Sequence, residues 1–523
     1  MQTRHIATLL APALLALFAA DATTALAADK FKVEEATIPE VQKALREQRL
    51  TCHELVQTYL DRIAAYDKKG PALDAILTLN PNALAVADTL DAAFAKGGPV
   101  RPLDCVPIVL KDNYNTADLP TTGGSASLAG AQPSKDAFVV ARLRAAGAIV
   151  LAKANMHEFA LAGTTVSSLG GQTLNPYDLT RTPGGSSGGT GVAVAANLAM
   201  AGTGSDTVNS IRSPASANDL VGIRPTKGLV SLNGIMPVSS TQDAVGPLAR
   251  HVVDAATMLE VMAVADPADP ASAVHDHPNY VASLKADGLK GKRIGVLRVM
   301  FGTKPEHQEV NRVMDGALAA MRQAGGTLVD LAEPALGADT LIADNDVQKY
   351  EFKAVMDRYL ATIPNAPAKT VDAIYASGRY NHPTLKGFLK SAVSFKDGLS
   401  EADYKVRLDR DAKTRAVLEK VIDDNHLDAI VYPLQKRLVV PVTELNQADR
   451  NGILASVTGF PAITVPAGFS APTNTAPLGV PVGMDILGKP WSEAKLLSLA
   501  YSFEQATHFR RSPESAPPLP SEK

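Results

Sequence analysis

The sequence predicts an α/β fold layered around one large sheet, and three observations carry that expectation. Strand-length apolar runs alternate with amphipathic helical stretches through most of the 523 residues. No internal repeat interrupts the alternation. A hydrophobic content of 46% beside 20% charged residues is that of an ordinary globular protein. The net charge of -3 supplies no basic face, which argues against nucleic acid as a partner.

Residues 1–27 are set aside before any fold argument. Arg4 and His5 precede an apolar run over residues 6–20 and then the small-residue stretch Ala25-Leu26-Ala27. That is the layout of a secretory signal peptide cut after Ala27. The run falls short of the roughly 20 residues that span a bilayer. The mature form is therefore expected to be exported, periplasmic or secreted, with no membrane partner. Cys52 and Cys105 are the only cysteines. In an oxidising compartment they either pair or remain two separate thiols, and the sequence leaves both readings open.

The elements follow in chain order. Thr51 and Glu54 read as a capping box opening a helix with Leu55, Tyr59, Leu60 and Ile63 on one face. Residues 106–110 form an apolar run of strand length that ends in Lys111. A helix carrying Val139, Val140, Leu143 and Ala146 feeds a strand over residues 148–151. Residues 175–250 are rich in Gly, Ser, Thr and Asn, and loops concentrated in this way carry sites. Residues 265–291 read as a surface connection. Strands at 293–297 and 327–329 flank a helix over 310–324, and a further helix and strand pair lies within 405–432. A helix over 492–505 is the last packed element expected. The Pro- and Ser-rich residues 512–523 are too polar and broken to pack and are expected to be disordered.

Chemistry concentrates in three blocks. In the first, Pro183-Gly184-Gly185-Ser186-Ser187-Gly188-Gly189-Thr190-Gly191 leads into a helical pattern, so backbone N–H groups and the positive end of the helix dipole face whatever binds there. No lysine follows the glycines as a phosphate loop requires. In the second, Ser210 comes 24 residues after Ser186, and a helix out with a strand back returns it to the glycine loop. Alone, Ser210 reads as a turn serine capping a backbone N–H; the constellation changes that reading. In the third, Lys111 ends its apolar strand. A strand-end lysine ordinarily snorkels into water, but a desolvated one loses up to about 3 to 5 pKa units from about 10.4 and can act as a base.

VPIVLKDN, TPGGSSGGTGVAVAANLA, GSDTVNSIRSPAS and GIRPTKGLVS, in this order and spacing, resemble the amidase signature family. Within it the chain is similar to exported bacterial peptide amidases, through Gly170-Gly171-Gln172-Thr173, Asn175-Pro176-Tyr177 and Trp491-Ser492-Glu493. The resemblance implies one large domain over 28–511, with a mixed twisted central sheet covered by helices on both faces. It implies an amidase that hydrolyses a linear carboxamide, small-molecule or peptide, with no cofactor and no metal. Carried over residue by residue, it makes Ser210 the nucleophile, Ser186 the bridging serine after a cis peptide at Gly185, and Lys111 the base. Backbone N–H groups of Thr207, Val208, Asn209 and Ser210 form the oxyanion hole. Asp206 and Arg212 hold the loop, and Ser187 supports Ser186. The sequence departs from the family at Val208-Asn209, where two glycines are usual, and an altered oxyanion geometry is expected there. The specificity pocket is expected from loops over 350–396 and around Gln435.

Two other readings compete. Gly184-Gly185-Ser186-Ser187-Gly188 fits the G-x-S-x-G elbow of an esterase, with Ser186 as nucleophile and His508 as a late triad histidine, provided a buried strand runs straight into it. An exported solute-binding protein would share the leader and the α/β alternation but would need no paired serines and lysine. His157-Glu158 lacks the second histidine of a zinc site, and His275-Asp276-His277 has no further ligand nearby; all read as packing or surface residues.

Overall fold

The computed structural model describes residues 31–97, 100–272 and 279–522. The leader and the His275 to His277 stretch lie outside the described residues. In chain order the strands are β1 (Ile76–Leu79), β2 (Pro107–Lys111), β3 (Ile149–Ala154), β4 (Val166–Ser167), β5 (Gly171–Gln172), β6 (Ala201–Asp206), β7 (Val221–Arg224), β8 (Ala244–Ala249), β9 (Arg293–Leu297), β10 (Thr327–Leu331), β11 (Ala429–Pro433), β12 (Ala462–Phe469) and β13 (Pro481–Leu487). Eleven of them form one mixed sheet in the order β1-β3-β2-β6-β8-β7-β12-β13-β11-β9-β10. The other two, β4 and β5, pair as a separate ribbon.

Parallel pairing of β2 with β3 and β6, and of β9 with β10 and β11, flanks an antiparallel centre. β2, β3 and β6 are buried along their whole length, as strands covered on both faces must be. Helices flank the sheet, and the main core runs from Val33 to Ala516. Among the described residues no helix is long and apolar enough to cross a membrane.

Local signals explain most elements. Thr51 Oγ1 accepts from Glu54 N at 3.1 Å while Glu54 Oε2 accepts from Thr51 N at 2.9 Å, so the capping box opens the helix Cys52–Tyr66. The helix out and strand back between the two serines are Gly188–Ala195 and β6. Cys52 and Cys105 are joined, with 5.2 Å between their Cα atoms. The bridge ties the start of the helix Cys52–Tyr66 to the chain two residues ahead of β2.

Two expectations are corrected. Residues 350–396 are not loops but helices, Gln348–Ala361, Val371–Ser377 and His382–Ser394. Phe352, Met356, Tyr359, Leu360 and Ile363 recur at helical spacing and pack on Met156 and Phe159, while Thr370 and Asn381 cap the two following helices. The tail is not disordered. Arg62, fully buried, donates to Ala516 O at 2.8 Å and to Glu522 Oε2 at 2.8 Å, and Ala516 is itself buried. A buried guanidinium requires partners, and here the tail supplies them. Composition could not show a cation some 450 positions upstream.

Candidate active site

Lys111 stands at the end of β2, fully buried. Its Nζ lies 2.7 Å from Ser186 Oγ, 2.9 Å from Ser205 Oγ and 3.3 Å from Ser205 O. Among the described residues it forms no ion pair. Burial pushes its pKa down to about 7 against the upward pull of Asp206 and Asp243. A lysine in this state is substantially neutral near pH 7 and can take a proton from the hydroxyl it touches.

Ser186 sits in the glycine loop, after a cis Gly185-Ser186 peptide and ahead of the helix Gly188–Ala195. Gly184 has φ of 68°, and a methyl group there would lie 2.8 Å from Ser213 O, so the turn needs glycine twice over. His157 N donates to Ser186 O at 2.9 Å and Ser187 N donates to Ser210 O at 3.2 Å, which draws the two serine loops together. Ser187 does not bond Ser186 as expected. Its hydroxyl donates to Ser205 O at 3.4 Å, because as N-cap of the helix it faces β6.

Ser210 lies between β6 and the helix Arg212–Ala217. The backbone of residues 207–210 is held by its carbonyls: Thr207 O accepts from Ser456 Oγ, Val208 O from Arg212 Nη2 at 2.7 Å, Asn209 O from Ser213 N at 2.6 Å, and Ser210 O from Ser187 N. Among the described residues, no protein acceptor takes the N–H of Thr207, Val208, Asn209 or Ser210. Four anchored carbonyls beside four unused donors are what an oxyanion pocket requires.

Val208 and Asn209 are accommodated without a left-handed backbone, since neither has positive φ. Val208 packs into an apolar cluster with Ile453, Leu454 and Val457.

Asp206 and Arg212 are bonded to each other across the loop. Arg212 Nε donates to Asp206 at 3.1 Å and Nη1 to Asp485 at 2.7 Å, and Arg224 reaches Asp206 at 3.0 Å, all fully buried. Burial alone would push Asp206 up, but the two guanidinium groups hold it below its usual range.

The Lys111–Ser186 leg is closed, whereas among the described residues no hydrogen bond joins the Ser186 and Ser210 hydroxyls. Both serines are buried, Ser210 at 6% exposure and Ser186 at 0%.

Sequence reasoning missed Ser205, Asn113 and Asp243. Ser205 Oγ accepts from both Lys111 Nζ and Asn113 Nδ2, the latter at 3.0 Å, and Asp243 Oδ1 accepts from Thr207 Oγ1 at 2.6 Å. Ser205 lies inside the GSDTVNS block; the signal for its role is the parallel pairing of β2 with β6, which sequence does not display. His157 is fully buried between Thr164 and Thr384, and burial, with help from Arg450 and from any positive charge on Lys111, pushes it down to about 3. It packs as a neutral ring. The elbow reading fails, because the residues leading into Ser186 hold only isolated bridges and no strand. His508 lines a different cavity of about 230 Å³ with His251, Glu504 and Arg510.

The sequence model of the amidase family matches residues 54–497. A crystal structure of native peptide amidase from Stenotrophomonas maltophilia is 36% identical, with a TM-score of 0.82 over 92% of this chain and 98% of that one. A glutamyl-tRNA(Gln) amidotransferase subunit from Moorella thermoacetica is 36% identical over 495 residues, covering 91% of this chain and 98% of the relative. A probable amidase of Arabidopsis thaliana is 33% identical over 512 residues, with 92% of each chain covered. A matched family model over most of the chain, on the same single-domain mixed sheet, shows that this protein belongs to the amidase family and is an enzyme of the carbon–nitrogen hydrolase, amidase class.

Proposed function

We propose that this enzyme hydrolyses a linear carboxamide through Lys111, Ser186 and Ser210, with an acyl-enzyme on Ser210. The observation that carries the reading is the 2.7 Å contact from a buried, carboxylate-free Lys111 Nζ to Ser186 Oγ. Neutral Lys111 takes the Ser186 proton, Ser186 takes that of Ser210, and Ser210 Oγ forms its bond to the amide carbon. The carbonyl oxygen gains the electron pair and meets the unused N–H groups of residues 207–210. The proton returns through Ser186 to the nitrogen as the carbon–nitrogen bond breaks, and water then releases the acid from Ser210. The likeness to peptide amidases supports a peptide amide as the substrate.

Export belongs to the same proposal. The leader pattern of residues 1–27 supports it, as does the Cys52–Cys105 bridge, since disulfides persist in oxidising compartments. The test is a fluorophosphonate serine probe on the chain lacking residues 1–27, with the modified peptide mapped by mass spectrometry. Label on Ser210 that falls sharply in Ser210→Ala, Ser186→Ala and Lys111→Ala is the expected result. Label on Ser186 alone, or none on folded protein, would sink the triad.

A further inference from the structure

Residues 450–452, which lead into the helix Ile453–Thr458, are surrounded by polar groups that lack partners. Asn209 is 1% exposed, and neither its Oδ1 nor its Nδ2 is hydrogen-bonded; Gln435 Oε1 is buried and equally unpaired. Arg450 is half-buried, and among the described residues its guanidinium forms no ion pair and no hydrogen bond. Asp346 is the acid whose field reaches it, and both oxygens of that carboxylate accept from Gln348 Nε2 at 2.9 Å.

These groups share one place, and it adjoins the serines. Gln435 and Arg450 face each other across an isolated antiparallel bridge. A methyl group on Gly452 would collide with Asn209 Cβ, and Asn209 directly precedes Ser210. A methyl group on Gly163 would lie 3.6 Å from Arg450 Nη1, and one on Gly185 would lie 2.9 Å from the Gly163 carbonyl carbon. Gly163 thus has the Arg450 cation on one side and the Gly185-Ser186 peptide on the other.

A guanidinium partly withdrawn from water without a partner is costly, and so is a buried carboxamide with both atoms unused. Two fully buried arginines nearby, Arg212 and Arg224, spend their terminal nitrogens on Asp206, Asp485 and backbone carbonyls. Of these three arginines Arg450 alone keeps its planar fork of donors unspent, and that fork matches a carboxylate in bidentate fashion.

We propose that Arg450, flanked by Asn209 and Gln435, is a specificity residue that pairs with a carboxylate carried on the same molecule as the scissile amide. The proposal rests on the reading of Ser210 as nucleophile and deepens it by naming the substrate class. Simple aliphatic amides lacking the second group are then poorer substrates.

The test measures how glutaramate and pentanamide protect Ser210 from the fluorophosphonate probe. The two differ only by a carboxylate in place of a methyl group. Glutaramate is expected to protect at a concentration at least tenfold lower; Arg450→Met brings the ratio close to one, and Arg450→Lys keeps part of it. Equal protection by both amides in the parent protein, or an undiminished ratio in Arg450→Met, overturns the proposal. Labelling of each variant reports its fold, and the lysine variant decides the question should the methionine variant not label. No label on Ser210 in the parent protein removes the catalytic reading and the subsite with it, whereas label with a ratio of one removes the subsite alone.

Discussion

Lys111 and Lys153 stand on the adjacent strands β2 and β3, where Lys111 pairs with Ala154 and Lys153 with Leu110; both are fully buried, yet they keep opposite company. Lys153 Nζ lies 3.1 Å from Asp112 Oδ1 and donates to Thr121 Oγ1 at 2.8 Å and Pro120 O at 2.9 Å. Among the described residues, Lys111 Nζ hydrogen-bonds only to the oxygens of Ser186 and Ser205. Burial pushes both ammonium groups down, and Asp112 pulls Lys153 back, whereas Lys111 settles at about 7. Equal burial therefore leaves one lysine paired with a carboxylate and the other without one, which is the state the proposed proton acceptor needs. What divides them is one carboxylate within hydrogen-bond distance.

The largest expected effect breaks the comparison on the catalytic side. Ser210→Ala and Lys111→Ala should each lower kcat/KM by roughly 10⁴-fold or more, as loss of a triad member does in other serine hydrolases. Far-ultraviolet circular dichroism should be unchanged in both. The same lysine dictates an acid limb in kcat/KM near pH 7, activity rising with pH as Lys111 loses its proton. A flat profile across the range in which Lys111 titrates would refute the role given to it.

Next comes stability, where the two lysines should respond with opposite sign. Lys153→Met leaves Asp112 buried without its cation, so urea denaturation should show a loss of about 3 to 5 kcal/mol. Lys111→Met removes a group whose folded pKa, about 7, lies below its unfolded value of about 10.4. Between those values the unfolded chain binds more protons, so stability rises with pH, and the penalty is fully present below about pH 7. That penalty is about 5 kcal/mol at full strength. Lost hydrogen bonds to Ser186 and Ser205 offset part of it, leaving a net gain on the order of 2 kcal/mol at about pH 6 that fades towards about pH 10. If Lys111→Met destabilises the fold on the acid side of that range, the contrast between the lysines does not hold.

The comparison also shows what can be read from the chain. The run ending in Lys111, the capping box at Thr51 and the two serine blocks are legible because each is a local pattern with its own physical signature. What escapes is made by distant residues meeting. Ser205 becomes a partner of Lys111 only through the pairing of β2 with β6, and Lys153 becomes inert only because β3 brings it to Asp112. The tail contradicts its composition for the same reason, since its order depends on Arg62. The helices within 348–394 are hidden differently: their apolar spacing is visible, but Pro364, Pro367, Gly378 and Pro383 punctuate the stretch and give it the look of loops when in fact they mark helix boundaries.

The smallest effect sharpens the comparison most. Ser205 Oγ accepts from Lys111 Nζ at 2.9 Å and stands where Lys153 has a carboxylate, so it is the neutral counterpart of Asp112. An acceptor favours the ammonium over the amine, only more weakly when it carries no charge. Ser205→Ala should therefore move the acid limb down by about half a unit to one unit. The plateau of kcat/KM should fall about fivefold, because Nζ loses one of the contacts that aim it at Ser186. A residue that merely packs would lower the plateau without moving the limb. Ser205→Asp is the complementary probe: a carboxylate at that position should hold the proton on Lys111, raise the limb well above its starting point, and make Lys111 resemble Lys153.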